Sequence, residues 1–273
     1  MGMLIFLYSC GSSRDTNTKQ AGVWQQTPIS IDGKNNDWPA PYPYYDYKSR
    51  VSYAVSNDKD NLYISVEAGD QVTMTKMLRQ GFEVYIDASG GKDQSKSIIY
   101  PMPVSEGESK WSKQTPGDMR ETEAIRQNRI AQMMKMVDEA HSINITGFRG
   151  NCNGILEVKQ KNDCRIVTAI DIDEYGSLVW EIKLPFKSFY KDQLVQADNG
   201  KVIHVGLVTK GFKNPVVKTA PQGGGSAGMP GMNSGMRGRG GMGGGGSRGS
   251  SESRDLLFQS TKTWVAVPLV YKP

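Results

Sequence analysis

Few side chains here have the type and spacing to do chemistry. Cys10, Cys152 and Cys164 are the cysteines and His141 and His204 the histidines of a 273-residue chain. A His/Cys metal centre, or a nucleophile activated by a histidine, needs partners that this count hardly supplies. Carboxylates are plentiful, but none stands in a distinctive motif, and the separation that would make two of them a hydrolytic pair is not readable from sequence. No catalytic constellation is expected. Cys152 and Cys164 lie at the two ends of a strand-like region, Ile155 to Lys159. If residues 153–163 fold as a hairpin or wide loop, their Cα atoms approach within the roughly 4.4–6.8 Å that a disulfide requires. Two separated thiols are the alternative.

Cys10 is chemically different. It follows a short apolar run, Met3 to Tyr8, and precedes a polar stretch through Gln20. The Leu7-Tyr8-Ser9-Cys10 tetrad resembles a lipobox, in which a small residue precedes the cysteine that is diacylated and becomes residue one. Residues 1–9 then read as a lipoprotein signal peptide, shorter than an ordinary apolar region and without a preceding Lys or Arg, and residues 10–26 as a flexible tether. The expected address is a bacterial cell envelope, with anchoring to the outer membrane through lipid, at about 0.8 kcal/mol per buried CH₂. A buried N-terminal strand carrying a free cysteine is the competing reading.

The elements that would position any site are short strands. Runs at Pro28 to Ile31, Val51 to Val55, Asn61 to Glu67, Gly81 to Asp87, Ser97 to Tyr100, Ile143 to Phe148, Ile155 to Lys159, Arg165 to Ile172, Leu178 to Leu184, Val202 to Lys210 and Thr263 to Val270 are separated by turn signals. Several alternate with period two: Leu62, Ile64 and Val66 share one face, as do Phe82, Val84 and Ile86. Such strands with little helix between them imply an all-β, jelly-roll-like antiparallel sandwich formed by residues 27–273. Two insertions interrupt it. From 116 to 141, Ile130, Met133, Met134 and Val137 recur at helical spacing behind Asp118, a candidate N-cap. From 221 to 253 lies nearly half of the 31 glycines, with Arg237, Arg239 and Arg248. That segment has too little apolar area to offset the entropy of ordering, so a disordered loop is expected. The net charge of +5 is spread along the chain, which argues against a nucleic-acid partner.

The strands carry particular words in order: Ile29-Ser30-Ile31-Asp32-Gly33-Lys34-Asn35-Asn36-Asp37-Trp38, Ser56-Asn57-Asp58-Lys59-Asp60-Asn61-Leu62-Tyr63-Ile64-Ser65-Val66, Gly81-Phe82-Glu83-Val84-Tyr85-Ile86-Asp87 and Leu178-Val179-Trp180-Glu181-Ile182-Lys183-Leu184-Pro185-Phe186. Together they resemble the family 9 carbohydrate-binding modules and their DOMON-like relatives. The resemblance implies a jelly-roll-like sandwich and a glycan, or a glycan-bearing envelope protein, as partner. It also implies a clamp of two exposed tryptophans, but the corresponding positions fall near Met77 and Ser253, and neither is aromatic. A structural or protein-interaction lipoprotein that keeps the sandwich without sugar binding is the alternative.

With the clamp positions lost, stacking falls to Trp111, just before the inserted helix, or to the cluster of Tyr42, Tyr44, Tyr45 and Tyr47. Trp38 and Trp180, on or beside alternating strands, read as core. Some relatives hold structural calcium, for which Asp87, Asp93 and Asp70 offer loop oxygens, although loop aspartates more often close Asx-turns. Others bind haem through His and Met. The 13 methionines here show no spacing that marks an axial pair. No cofactor beyond that calcium is expected.

Overall fold

The structure is a computed structural model that describes residues 21–103, 123–213 and 255–273. Cys10, Trp111, the 221–253 segment, Ser253 and the start of the expected helix lie outside the described residues. Two antiparallel sheets face each other. The first has the order β1 (Tyr44–Asp46), β2 (Val51–Asn57), β3 (Asn61–Ala68), β9 (Leu178–Pro185), β8 (Val167–Ile172). The second has the order β11 (Thr261–Pro268), β10 (Val202–Thr209), β4 (Phe82–Asp87), β5 (Ser97–Tyr100), β6 (Ser142–Thr146), β7 (Gly154–Glu157). The result is the all-β sandwich that the alternating runs imply.

Alternation decides what meets between the sheets. Leu62, Ile64 and Val66 of β3 and Trp180, Ile182 and Leu184 of β9 face Phe82, Val84 and Ile86 of β4 and Ile203, Val205 and Leu207 of β10 in one buried core. Trp180 satisfies its only polar atom there, its Nε1 donating to the Tyr100 carbonyl at 2.9 Å, while its ring meets Phe82 edge-to-face.

Among the described residues, two helices longer than two turns sit around the sandwich. The sequence reading missed α1 (Gln71–Gln80), which is started by Asp70, whose carboxylate accepts from the backbone N–H groups of Val72 and Thr73. Its Met74, Met77 and Leu78 enter the core, and Lys76 donates to the Gln259 carbonyl, so the helix closes the end where β4 begins. The expected inserted helix is α2 (Glu123–Asp138), which packs on α1 and β8 through Met133, with Met136 and Val137 beside it. Met134 points away, half exposed.

The outer face of the first sheet is roofed. Pro28 to Ile31, read from sequence as a strand, instead belongs to an irregular segment laid over β2, β3 and β9. Ile29 and Trp38 pack there on Ala54 and Tyr63, with Ile31 and Tyr42 alongside. Glu181 of β9 pins the roof, because its Oε1 accepts from Trp38 Nε1 at 2.5 Å and its Oε2 from the N–H groups of Gly33 and Asp32 at 2.7 and 3.0 Å. Gly33 (φ +82°) must be glycine: a Cβ there would lie 2.8 Å from the backbone of β8 at Asp171. Burial pushes the Glu181 carboxyl up, against the hydrogen bonds from Trp38, Gly33 and Asp32.

A second buried carboxylate fastens the β9–β10 connection. Asp198, fully buried, accepts from Lys191 Nζ at 2.7 and 2.8 Å, from Lys201 Nζ at 3.0 Å, from the Tyr190 hydroxyl at 3.1 Å and from the Val195 N–H at 2.9 Å. Burial alone would raise this carboxyl, but the donors from Lys191, Val195, Lys201 and Tyr190 together hold it far below its ordinary value of 3.8. A depressed carboxyl adds stability above its unfolded value and loses it as pH falls toward its folded one. Asp198→Asn is therefore expected to cost about 1–2 kcal/mol at pH 7. Thermal melts across pH should show that difference shrinking once the pH drops below about 4; a constant difference down to pH 2 would contradict the assignment.

Candidate functional site

The second sheet carries no such roof among the described residues, and its outer face holds two half-buried aromatic side chains, Tyr85 and Trp264. Because Phe82, Val84 and Ile86 point inward, Glu83, Tyr85 and Asp87 point outward. By the same alternation β10 presents His204, Gly206 and Val208 outward, and β11 presents Lys262, Trp264 and Ala266. The register sets Trp264 opposite Gly206 and Gly206 opposite Tyr85.

Glycine in the middle lets the two rings meet. Across β10 they stack with centroids 6.1 Å apart and planes 27° from parallel. A Cβ on Gly206 would lie 3.1 Å from Tyr85 Cβ and 3.2 Å from Cη2 and Cζ3 of Trp264, so the far edge of the indole reaches over the glycine. Both aromatics remain half-buried. The result is an apolar platform built from three strands.

Polar groups surround it. Lys262 Nζ stands over the Tyr85 ring, 5.2 Å from its centroid, and donates to Gln94 Oε1 at 2.7 Å. Glu83 pairs with Lys210 at 2.9 Å and stands two residues from Tyr85 on the same face of β4. Burial first, then the hydrogen bond and charge of Glu83, push that phenol up to about 12, so it stays protonated at any physiological pH. Such a surface can cover the apolar C–H face of a flat polyhydroxylated ring while offering an ammonium, an amide and a carboxylate to its hydroxyls.

The residues expected from sequence fall elsewhere. Tyr42 belongs to the roof, its hydroxyl hydrogen-bonded to Ser65 Oγ at 2.8 Å. Tyr44 stacks on Tyr53, and its hydroxyl accepts from the Ala21 N–H at 2.9 Å. Tyr45 is 49% exposed and meets Tyr47, 85% exposed, edge-to-face at 4.9 Å on the edge strand of the first sheet, so this pair alone of the cluster faces water. Met77, where the family resemblance puts its first tryptophan, is fully buried in α1.

Asp87 and Asp93 close their own turn. Asp87 accepts from Ser89 N–H and Oγ and from the Lys92 N–H, and Asp93 from Ser95 N–H and Oγ. Burial raises the Asp87 carboxyl, but those donors outweigh it and hold it low; the Ser95 donors do the same for Asp93. Asp70 is the cap of α1. Among the described residues no group of three or more His, Cys, Asp or Glu is placed to hold a metal ion. His204 on β10 and His141 just before β6 are separated by β4 and β5. Cys152 and Cys164 are joined in a buried disulfide with Cα atoms 5.8 Å apart. No helix among the described residues is long and apolar enough to cross a membrane.

Sequence reasoning overlooked Tyr85, Gly206 and Trp264. The alternation of Phe82 to Asp87 already put Tyr85 on the outer face, and that of Thr263 to Val267 did so for Trp264. What brings them together is the strand order, which inserts β10 and its glycine between them.

No protein-family model matches the chain, and no curated protein does. Two solved structures do: a family 9 carbohydrate-binding module from Caldicellulosiruptor kristjanssonii in complex with glucose, and the same kind of module in complex with cellotriose. The first is 10% identical with a TM-score of 0.32, covering 70% of this chain and 78% of its own. The second is 12% identical with a TM-score of 0.32, covering 70% and 76%.

Proposed function

We propose that this domain is a non-catalytic glycan-binding module, carried by an exported protein that is held to the bacterial outer membrane through lipid on Cys10. The stacked Tyr85–Trp264 pair, half-buried on a sheet face that no described residue roofs, with Lys262 over the Tyr85 ring and Gln94 and Glu83 nearby, carries the glycan reading. The lipobox-like tetrad ending at Cys10 supports the anchor, and the Cys152–Cys164 bridge is in keeping with an oxidising compartment.

Affinity electrophoresis through gels containing soluble plant and microbial polysaccharides tests the reading. The intact chain should be retarded by at least one polysaccharide, and Gly206→Val, whose branched side chain must displace the indole, should run as in an empty gel. Equal retardation of both proteins would move the binding site elsewhere. No retardation by any polysaccharide favours the second reading, a structural or protein-interaction lipoprotein, to which the burial of Met77 at a family clamp position already lends weight. For the anchor, mass spectrometry of the native N-terminus should find an acylated Cys10; an unmodified chain still carrying residues 1–9 would remove that part.

A further inference from the structure

The platform is one end of a longer row. The same register that aligns Trp264, Gly206 and Tyr85 continues to Ser97 on β5 and Thr146 on β6. The next row along the strands runs Lys262, Val208, Glu83, Ile99, Asn144, Ile155 across all six. Ile98, Tyr100, Ile143 and Ile145 point into the core, so Ser97, Ile99, Asn144 and Thr146 face outward with the aromatics. Thr146 and Ile155 are exposed, and Ser97, Ile99 and Asn144 half-buried.

We infer that the ligand is an extended, neutral glycan chain lying across the strands, stacked by Tyr85 and Trp264 and hydrogen-bonded further along by Ser97, Thr146 and Asn144. This rests on the glycan reading above and specifies its ligand. Each step along the row is one strand spacing, roughly 4.8 Å, so the path from Trp264 to Thr146 covers roughly 19 Å. That is several sugar rings, not one. Among the described residues the row is open at both ends. β11 is a sheet edge, and β7 stops at Gly154, opposite Ile145, so no strand residue lies beyond Thr146. Nothing in the row stands ready to recognise a chain terminus. Its groups past the platform are two hydroxyls and an amide, and its charged members, Glu83 paired with Lys210 and Lys262 bonded to Gln94, sit at the platform end, so the stretch beyond offers no ion partner to an anionic chain.

Calorimetric titration of the intact protein with β-1,4-linked gluco-, manno- and xylo-oligosaccharides, from disaccharide to hexasaccharide, tests this. Affinity for at least one series should rise by tenfold or more with length and then level off, and chemical reduction of the terminal sugar should leave the hexasaccharide affinity unchanged. Asn144→Ala with Thr146→Ala should weaken the hexasaccharide by about three- to tenfold, the effect of one or two lost hydrogen bonds, and leave the disaccharide unaffected. Affinity that ignores length, or that vanishes on reducing the terminal sugar, overturns the extended-chain inference while the platform remains a glycan site. No binding of any series, together with no retardation by any polysaccharide, overturns both.

Discussion

Glu181→Ala is expected to lower the unfolding free energy by about 3 kcal/mol, because it strips three donors of their acceptor in one step. Trp38 Nε1 and the Gly33 and Asp32 N–H groups all end on this carboxylate, and leaving a buried donor unpaired costs roughly 1–3 kcal/mol each before water or relaxation recovers part of it. For a chain of this size a loss of that order lowers Tm by about 6–12 °C. Glu181→Gln separates charge from geometry. Its single carbonyl can keep either the indole or the two backbone donors, and its amide then confronts the other set, so it should fall between wild type and alanine. Glu181 also has the opposite pH sense to Asp198. Its carboxyl is raised in the folded protein, so its contribution is greatest below its ordinary value of 4.5 and declines as pH rises through its folded value. Thermal melts of the three proteins at neutral pH check the ranking; an alanine variant within 1 °C of wild type would mean that the roof is held by packing alone.

The second large effect is on binding. Trp264→Ala should reduce glycan affinity by roughly 30-fold or more, the size associated with losing a central aromatic anchor at about 2 kcal/mol. The indole offers the larger ring of the stacked pair, and its removal also leaves Gly206 uncovered and Tyr85 without its neighbour. The fold should survive, because Trp264 points away from the core that Val265 and Val267 enter. Tyr85→Phe is a milder probe: it keeps the ring, loses the hydroxyl, and should weaken binding only a few-fold.

Much of the framework was readable in the residues because one face of each strand is buried. Leu62-Tyr63-Ile64-Ser65-Val66 and Phe82-Glu83-Val84-Tyr85-Ile86 show the alternation of a half-buried strand, and Asp58 closes the turn before β3 by accepting from the Asp60 and Asn61 N–H groups. Three features escaped for physical reasons. Helix α1 contains the β-branched Val72, Thr73 and Thr75, which favour strand over helix, and only Asp70 and the Met74, Met77, Leu78 spacing marked it. Pro28 to Ile31 has strand-like apolar residues, but they pack face-down on another sheet rather than pair. Strand β1, of three residues, is too short to show a period. The platform was hidden differently. Tyr85, Gly206 and Trp264 are up to 179 positions apart, taken as 264 minus 85, and each looks ordinary in its own strand. Only the strand order shows that the glycine stands between the rings.

The Tyr85–Trp264 platform is the centre of this account, and calorimetry on single tryptophan variants tests it most directly. A glycan that binds the intact protein should be titrated into Trp264→Ala and, beside it, Trp111→Ala, the aromatic that sequence alone would favour. Trp264→Ala should lose roughly 30-fold or more while Trp111→Ala stays within about twofold of wild type. Retained affinity in Trp264→Ala, with loss in Trp111→Ala, would contradict this and place recognition at Trp111.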